Sequence, residues 1–268
     1  MNYLSLVLAI LTLFTPCSRA DEISLFIVSG QSNAHTQFSL GVESGLRAGG
    51  DWAHVKVFHA YRSGNWLFQW IDGYDGEYIA NSNFTEDLWA ADGSSGLQQC
   101  IAKLENAGHT VSIEGLFWFQ GEGDTGSALH QGEYQPRLTW MLNKLWSQYG
   151  MFDVVLTKID WNHNLPEDLA AINRDPEDVK AIRDAQQAAA DELGIGIMDS
   201  AGRLRADVWH IADASDPRGD YGVATDFGAD QARLMIERAS CDADLTGDGS
   251  LDIFDVFQYL EIFTAGCP

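Results

Sequence analysis

Five short β-rich runs, Ile23–Ser29, Val55–Ala60, Thr110–Phe119, Phe152–Ile159 and Ile195–Met198, alternate along this chain with stretches of helical spacing. The runs are rich in β-branched and aromatic residues. The spacing predicts helices over Leu97–Ala107, Gly132–Tyr149, Pro176–Leu193 and Phe227–Ser240; Leu97, Ile101 and Leu104 recur on one face of the first. Strands alternating with helices predict an α/β fold, a parallel sheet covered on both faces. A chain of 268 residues holds one such domain of about 200 residues and a short appendage. The region from Gly64 to Ser95 is rich in aromatic, Gly and Asn residues and reads as long loops above the sheet.

Gly30-Gln31-Ser32-Asn33 follows the first run directly. That puts the Ser32 hydroxyl at the carboxyl end of a strand, where open α/β sheets place their sites. Phe117-Trp118-Phe119-Gln120-Gly121-Glu122-Gly123-Asp124 ends the third run at the same edge. Gln120 brings a side-chain amide donor that could face a developing oxyanion. Glu122 and Asp124 bring carboxylates suited to fixing loops by accepting backbone hydrogen bonds. Far downstream, Asp207-Val208-Trp209-His210 sets a carboxylate three residues before an imidazole. Asp207 can hold the tautomer that leaves the other ring nitrogen facing Ser32. Of seven histidines, His210 is the one this reading selects as a base.

The formal charge is −23. Such an anion is repelled by phosphates, which argues against nucleic acid as partner, whereas a neutral sugar is compatible. Residues 3–16 are almost entirely apolar, and Ser18-Arg19-Ala20 offers small residues at the cleavage positions. Residues 1–20 are therefore expected to be a secretory signal peptide. Its removal takes away one base, Arg19, and no acid, moving the charge from −23 to −24. Cys100, Cys241 and Cys267 stay in the mature chain. Secretion permits disulfides, so Cys241 and Cys267, which bracket the C-terminal segment, are expected to pair. Cys100 reads as an apolar helix residue.

Together, the Gly-Gln-Ser-Asn block, the Gln-Gly-Glu-x-Asp block and the late Asp-x-x-His resemble the SGNH hydrolases. More narrowly, they are similar to the carbohydrate esterases that include acetylxylan esterases and sialate O-acetylesterase domains. Ile182-Arg183-Asp184-Ala185-Gln186 and Phe227-Gly228-Ala229-Asp230-Gln231 resemble two further helix segments of that group. The resemblance spans residues 23 to 238 and implies a three-layer α/β/α fold with a flavodoxin-like parallel sheet. It implies that Ser32 is the nucleophile, His210 the general base and Asp207 its partner. The oxyanion hole would combine the Ser32 N–H, a glycine N–H and Gln120. Gly93 and Gly96 compete for the glycine, and Gly93 is taken here. Gln31 and Asn33, with Glu122 and Asp124, would support the substrate and its loops. The implied substrate is an acetylated carbohydrate, cleaved without a catalytic cofactor. A general short-chain esterase or a non-catalytic carbohydrate-binding protein on the same fold remain the alternatives. His35, where the family often has Met or Gly, would contact substrate or narrow the pocket. Trp66, Phe68, Trp70 and Trp89 are candidates for stacking on sugars.

Composition changes at Cys241: the last 28 residues hold six acidic side chains and no basic one. The domain boundaries are accordingly set at 1–20, 21–240 and 241–268. Asp244-Leu245-Thr246-Gly247-Asp248-Gly249 opens a twelve-residue pattern that fits a calcium loop. Its ligands would be Asp244, Thr246, Asp248, the Ser250 carbonyl and Asp255, with Gly249 at the sharp turn. The segment resembles one repeat of a dockerin closed by Gly266-Cys267-Pro268. That implies a cell-surface or cohesin-like anchoring partner for a secreted or surface-attached protein.

Overall fold

The computed structural model describes residues 21–52, 54–71, 88, 96–212 and 223–243. Five strands, β1 (Glu22–Gly30), β2 (Val55–Tyr61), β3 (Thr110–Phe119), β4 (Asp153–Lys158) and β5 (Gly196–Asp199), form one sheet in the order β2-β1-β3-β4-β5. Every pairing is parallel. Among the described residues, six helices flank the sheet: α1 (Thr36–Gly49), α2 (Gly96–Asn106), α3 (Ala128–Tyr149), α4 (Pro166–Ala171), α5 (Pro176–Leu193) and α6 (Val223–Ala243). This is the expected α/β/α architecture.

Both faces of the sheet are core. In β1, Leu25, Phe26, Ile27 and Val28 are fully buried, each burial contributing about 1.5–3 kcal/mol before entropy is counted. Side chains of β3 alternate. Phe119 meets Phe38 of α1 and Phe227 of α6, while Trp118 meets the edge of Trp70.

The strand edges lie within two residues of the expected ones. Helix α5 matches its predicted ends because both are chemically marked. Asp175 caps Glu177 and Asp178, Pro176 takes the first turn, and Gly194 closes the helix with φ +65°. Helix α1 was not anticipated. Its sequence places Gly41, Gly45 and Gly49 four apart, a poor helical composition. The glycines are there for packing: a Cβ on Gly41 would lie 2.0 Å from the Thr225 carbonyl oxygen, and one on Gly45 would lie 2.7 Å from the Ala232 Cβ. Helices α1 and α6 therefore approach closely enough to exclude side chains along this stripe. Helix α4 was also missed, and α6 runs three residues past the expected boundary at Ser240.

Cys100 sits on α2, half-buried against the core with a free thiol, less enclosed than expected. Burial pushes its pKa up, as suits a packing residue rather than a nucleophile. The signal segment, Gly93, Trp89, the calcium ligands Asp244, Thr246, Asp248, Ser250 and Asp255, and Cys267 lie outside the described residues, and so does the side chain of Cys241.

Candidate active site

The order β2-β1-β3-β4-β5 reverses direction between β1 and β3, which opens a crevice at their carboxyl ends. Both sequence blocks land there. Gly30 closes β1 with φ +135°, and a Cβ on it would lie 2.1 Å from the Phe119 carbonyl oxygen. Only glycine fits this close approach. The Gln31 N–H then bonds that same carbonyl at 2.7 Å, and the chain turns into a short 3-10 segment, Ser32–Ala34, that lifts Ser32 off the sheet.

His210 arrives from the loop after β5. The Asp207 Oδ1 accepts the backbone N–H groups of Trp209 and His210 at 2.8 and 2.9 Å, folding the four residues into a tight turn. The Asp207 Oδ2 lies 2.7 Å from His210 Nδ1. On the far side of the ring, Nε2 lies 2.8 Å from Ser32 Oγ. A proton on Nδ1 satisfies Asp207 and leaves Nε2 to accept from the Ser32 hydroxyl. The Asp207 hydrogen bond raises the His210 pKa above its ordinary 6.5, against the opposing effect of burial. Burial alone would push the Asp207 carboxyl up; hydrogen bonds from the His210 ring and from two backbone N–H groups outweigh it and hold that carboxyl well below the usual carboxylate range.

Asn33 locks these parts together. Its Nδ2 donates to Glu122 Oε1 at 2.6 Å and to the Trp209 carbonyl at 3.2 Å, while its Oδ1 accepts the Ile211 N–H at 2.9 Å. One amide thus grips the backbone on both sides of His210. Gln31 does similar work, its Oε1 accepting the Gly123 N–H at 3.2 Å. Asp124 pins the loop above β2 through a 2.9 Å bond from the Leu67 N–H. Burial drives both loop carboxyls upward: Glu122, whose Oε2 has no hydrogen-bond partner, and Asp124, which is pushed up to about 7.

Gln120 has a different task from the one expected. It is fully buried, and its Nε2 donates to Asp124 Oδ2 at 2.5 Å and to the Asn65 carbonyl at 3.1 Å. It braces the floor of the site, and its amide protons are already committed. Gln186 extends that floor, bonding the Gln120 and Thr157 carbonyls and accepting the Ile159 N–H. Gly96 starts α2 and does not line the cavity around Ser32, which measures about 420 Å³. Among the described residues, the glycines that do line it are Gly64 and Gly123. The Gly123 N–H is taken by Gln31. Gly64 lies three residues past β2 with φ +72°.

His35 caps α1, its Nδ1 accepting the Gln37 N–H at 3.1 Å, and it is not among the residues lining the cavity. Trp70 is core, Phe68 is half-buried against His130, and Trp66 alone of the described candidate aromatics lines the cavity. Sequence reasoning missed Gly64, Arg174 and Trp209 in the cavity wall. Gly64 carried a usable signal, a polar glycine turn just after a strand, whereas Arg174 carried none.

The sequence reading also passed over a second Asp-x-x-His. Asp160-Trp161-Asn162-His163 has the spacing of Asp207–His210, and His163 Nε2 lies 3.1 and 3.2 Å from the two Asp160 oxygens. Its ring stacks on Trp161, away from the cavity that holds Ser32.

Comparison with known proteins adds family and fold. The family model described as carbohydrate esterase, sialic acid-specific acetylesterase, matches residues 79–219, which include Gln120, Glu122, Asp207 and His210. No curated protein matches the chain. Among solved structures, a protein of Arabidopsis thaliana is similar at 13% identity, over 81% of this chain and 98% of that one, with a TM-score of 0.51. A GDSL-like lipase from Bacteroides thetaiotaomicron is similar at 12% identity over 89% and 98%, TM-score 0.47. A carbohydrate esterase family 3 protein from Talaromyces cellulolyticus is similar at 14% over 80% and 98%, TM-score 0.47.

Proposed function

Because this chain belongs to the carbohydrate esterase, sialic acid-specific acetylesterase family, and is thereby an ester hydrolase, we propose that it removes O-acetyl groups from a carbohydrate by a Ser32–His210–Asp207 mechanism. The observation that carries the mechanism is the unbroken hydrogen-bonded line from Asp207 Oδ2 through both His210 nitrogens to Ser32 Oγ.

Ser32 Oγ attacks the acetyl carbonyl while His210 Nε2 takes its proton. The tetrahedral oxyanion is met by the backbone N–H of Ser32 and that of Gly64. Each such donor is worth about 10²–10³ in rate. Collapse expels the sugar alkoxide, which leaves with the proton returned from His210. Water, deprotonated by His210, then attacks the acetyl-Ser32 ester and releases acetate. Asp207 steadies the imidazolium formed in each half-reaction.

The family membership and a cavity lined by Trp66, Trp209, Arg174 and Glu122 support a polar, carbohydrate-bearing ester over a long apolar acyl chain. The test is a comparison of O-acetylated xylan and O-acetylated sialic acid with p-nitrophenyl esters of lengthening acyl chain. The reading expects acetate from at least one sugar ester and a rate that falls as the acyl chain grows. A rate that rises with chain length contradicts it.

Export rests on the apolar run of residues 3–16, and a calcium-binding, surface-anchoring tail rests on the Asp244–Asp255 spacing. The mature N-terminus of the secreted protein and calcium titration of the full chain test these two parts.

A further inference from the structure

A second cavity, about 400 Å³, opens where the chain leaves β4 and β5. It lies between Asp160–Leu165 and Gly202–Arg205, on the other side of the backbone that carries His210. That backbone is the shared wall. The Asn162 N–H bonds the Val208 carbonyl at 2.9 Å, and Arg205 Nη1 bonds the Trp209 carbonyl at 2.5 Å, while Trp209 itself lines the Ser32 cavity. Strand β4 is two places from β1, so the cavities sit roughly 10 Å apart along the same edge of the sheet.

Its lining suits binding rather than nucleophilic chemistry. Among the described residues, no Ser, Thr or Cys contributes to it. The charged groups are already engaged: Asp160 faces His163 and Arg183, Arg203 pairs with Asp230 at 2.7 Å, and Arg205 donates to the Ser200 and Trp209 carbonyls. What is left is neutral and polar. The Asn162 Nδ2 and the Asn164 side-chain amide carry no hydrogen bond among the described residues. The His163 ring, 66% exposed, lies flat over the buried Trp161 at 4.6 Å between centroids. The Asn162 Nδ2, whose Oδ1 is taken by the Asn164 N–H, and the Asn164 amide beside a stacked flat ring complement a sugar, whose hydroxyls take amides and whose C–H face takes a ring.

We propose that this cavity is an accessory carbohydrate subsite. It binds an uncharged sugar residue further along the glycan whose acetyl ester lies at Ser32. The proposal rests on the carbohydrate-esterase reading for its substrate. An uncharged sugar is specified because the local charged groups are already engaged and the chain as a whole, at −23, repels anions.

The test uses the full chain carrying Ser32→Ala, so that nothing is turned over, titrated with unacetylated xylotetraose, cellotetraose and mannotetraose. At least one is expected to bind, with affinity falling about tenfold when Asn162 and Asn164 are both changed to alanine. Leu204→Trp, which fills the cavity from an exposed position, should cause the same loss without touching the Asn162 backbone contact. On the unsubstituted nucleophile, the same changes should lower the selectivity for the acetylated tetrasaccharide over p-nitrophenyl acetate about tenfold, through KM. Absence of binding by all three sugars, or equal binding by both variants, overturns the subsite. Binding that follows the subsite variants without any Ser32-dependent hydrolysis would instead overturn the esterase mechanism and leave the subsite standing.

Discussion

Asn33 Nδ2 lies 2.6 Å from Glu122 Oε1, joining the turn after β1 to the loop after β3 beneath His210. The same side chain holds the backbone of Trp209 and Ile211. The residue beside Ser32 therefore sets where His210 stands.

Asn33→Ala is expected to cost about 1–3 kcal/mol of stability, since it strands a buried carboxylate and a buried N–H. It should lower kcat by about 10²-fold, because a base displaced from its nucleophile loses most of its advantage. Asn33→Asp should be worse in both respects, as it faces Glu122 with a second carboxyl. Chemical denaturation and steady-state kinetics of both variants check this.

His210 must be neutral to accept the Ser32 proton. Asp207 raises the His210 pKa, so the ring stays protonated to higher pH and the acid limb of kcat/KM lies above 6.5. In Asp207→Asn the limb should move to lower pH. The plateau should fall by about 10²-fold, the low end for general-base effects, since Asp207 is 55% exposed and screened by solvent. The pH–rate profiles of the two proteins decide it.

Asp124 gives a stability signature of opposite sense to an ordinary ion-paired acid. Burial raises its pKa from 3.8 to about 7 in the folded chain. The native state then holds a proton that the unfolded state has lost, so stability falls as pH rises through that interval, by up to about 4 kcal/mol. Asp124→Asn keeps acceptors for Gln120 and Leu67 and should flatten this part of the curve. Unfolding free energies across the acid-to-neutral range, wild type against variant, measure the difference.

Gly41 and Gly132 make a matched pair of helical glycines. Helix propensity favours Ala at both by about 1 kcal/mol. Gly132 of α3 has open space around it, and Gly132→Ala should stabilise the protein by roughly 0.5–1 kcal/mol. At Gly41 a Cβ meets the Thr225 backbone, and Gly41→Ala should destabilise by about 1–3 kcal/mol through overpacking. Melting temperatures moving in opposite directions are the expected result.

This pair also shows where sequence reading succeeded and where it failed. The strands were found because β-branched and aromatic residues cluster in short runs, most densely in the buried β1. Periodicity failed for α1, because a glycine stripe reads as a helix breaker until the partner helix is in place. Ser32, Asp207 and His210 were legible from strand-end placement and local spacing. Gln120 was assigned the wrong direction, since a side-chain amide has no orientation in a sequence; Asp124, four residues on, claims it. Gly64 was not singled out because nothing in the residues alone says which loop stands beside Ser32, and Gly93 lies outside the described residues.

The most direct test of the mechanism is acetate release by the purified full chain beside Ser32→Ala, from acetylated xylan and from p-nitrophenyl acetate. Loss of both activities in a variant that keeps the wild-type fold is the predicted result. Release that persists at the wild-type rate without the Ser32 hydroxyl would contradict the mechanism.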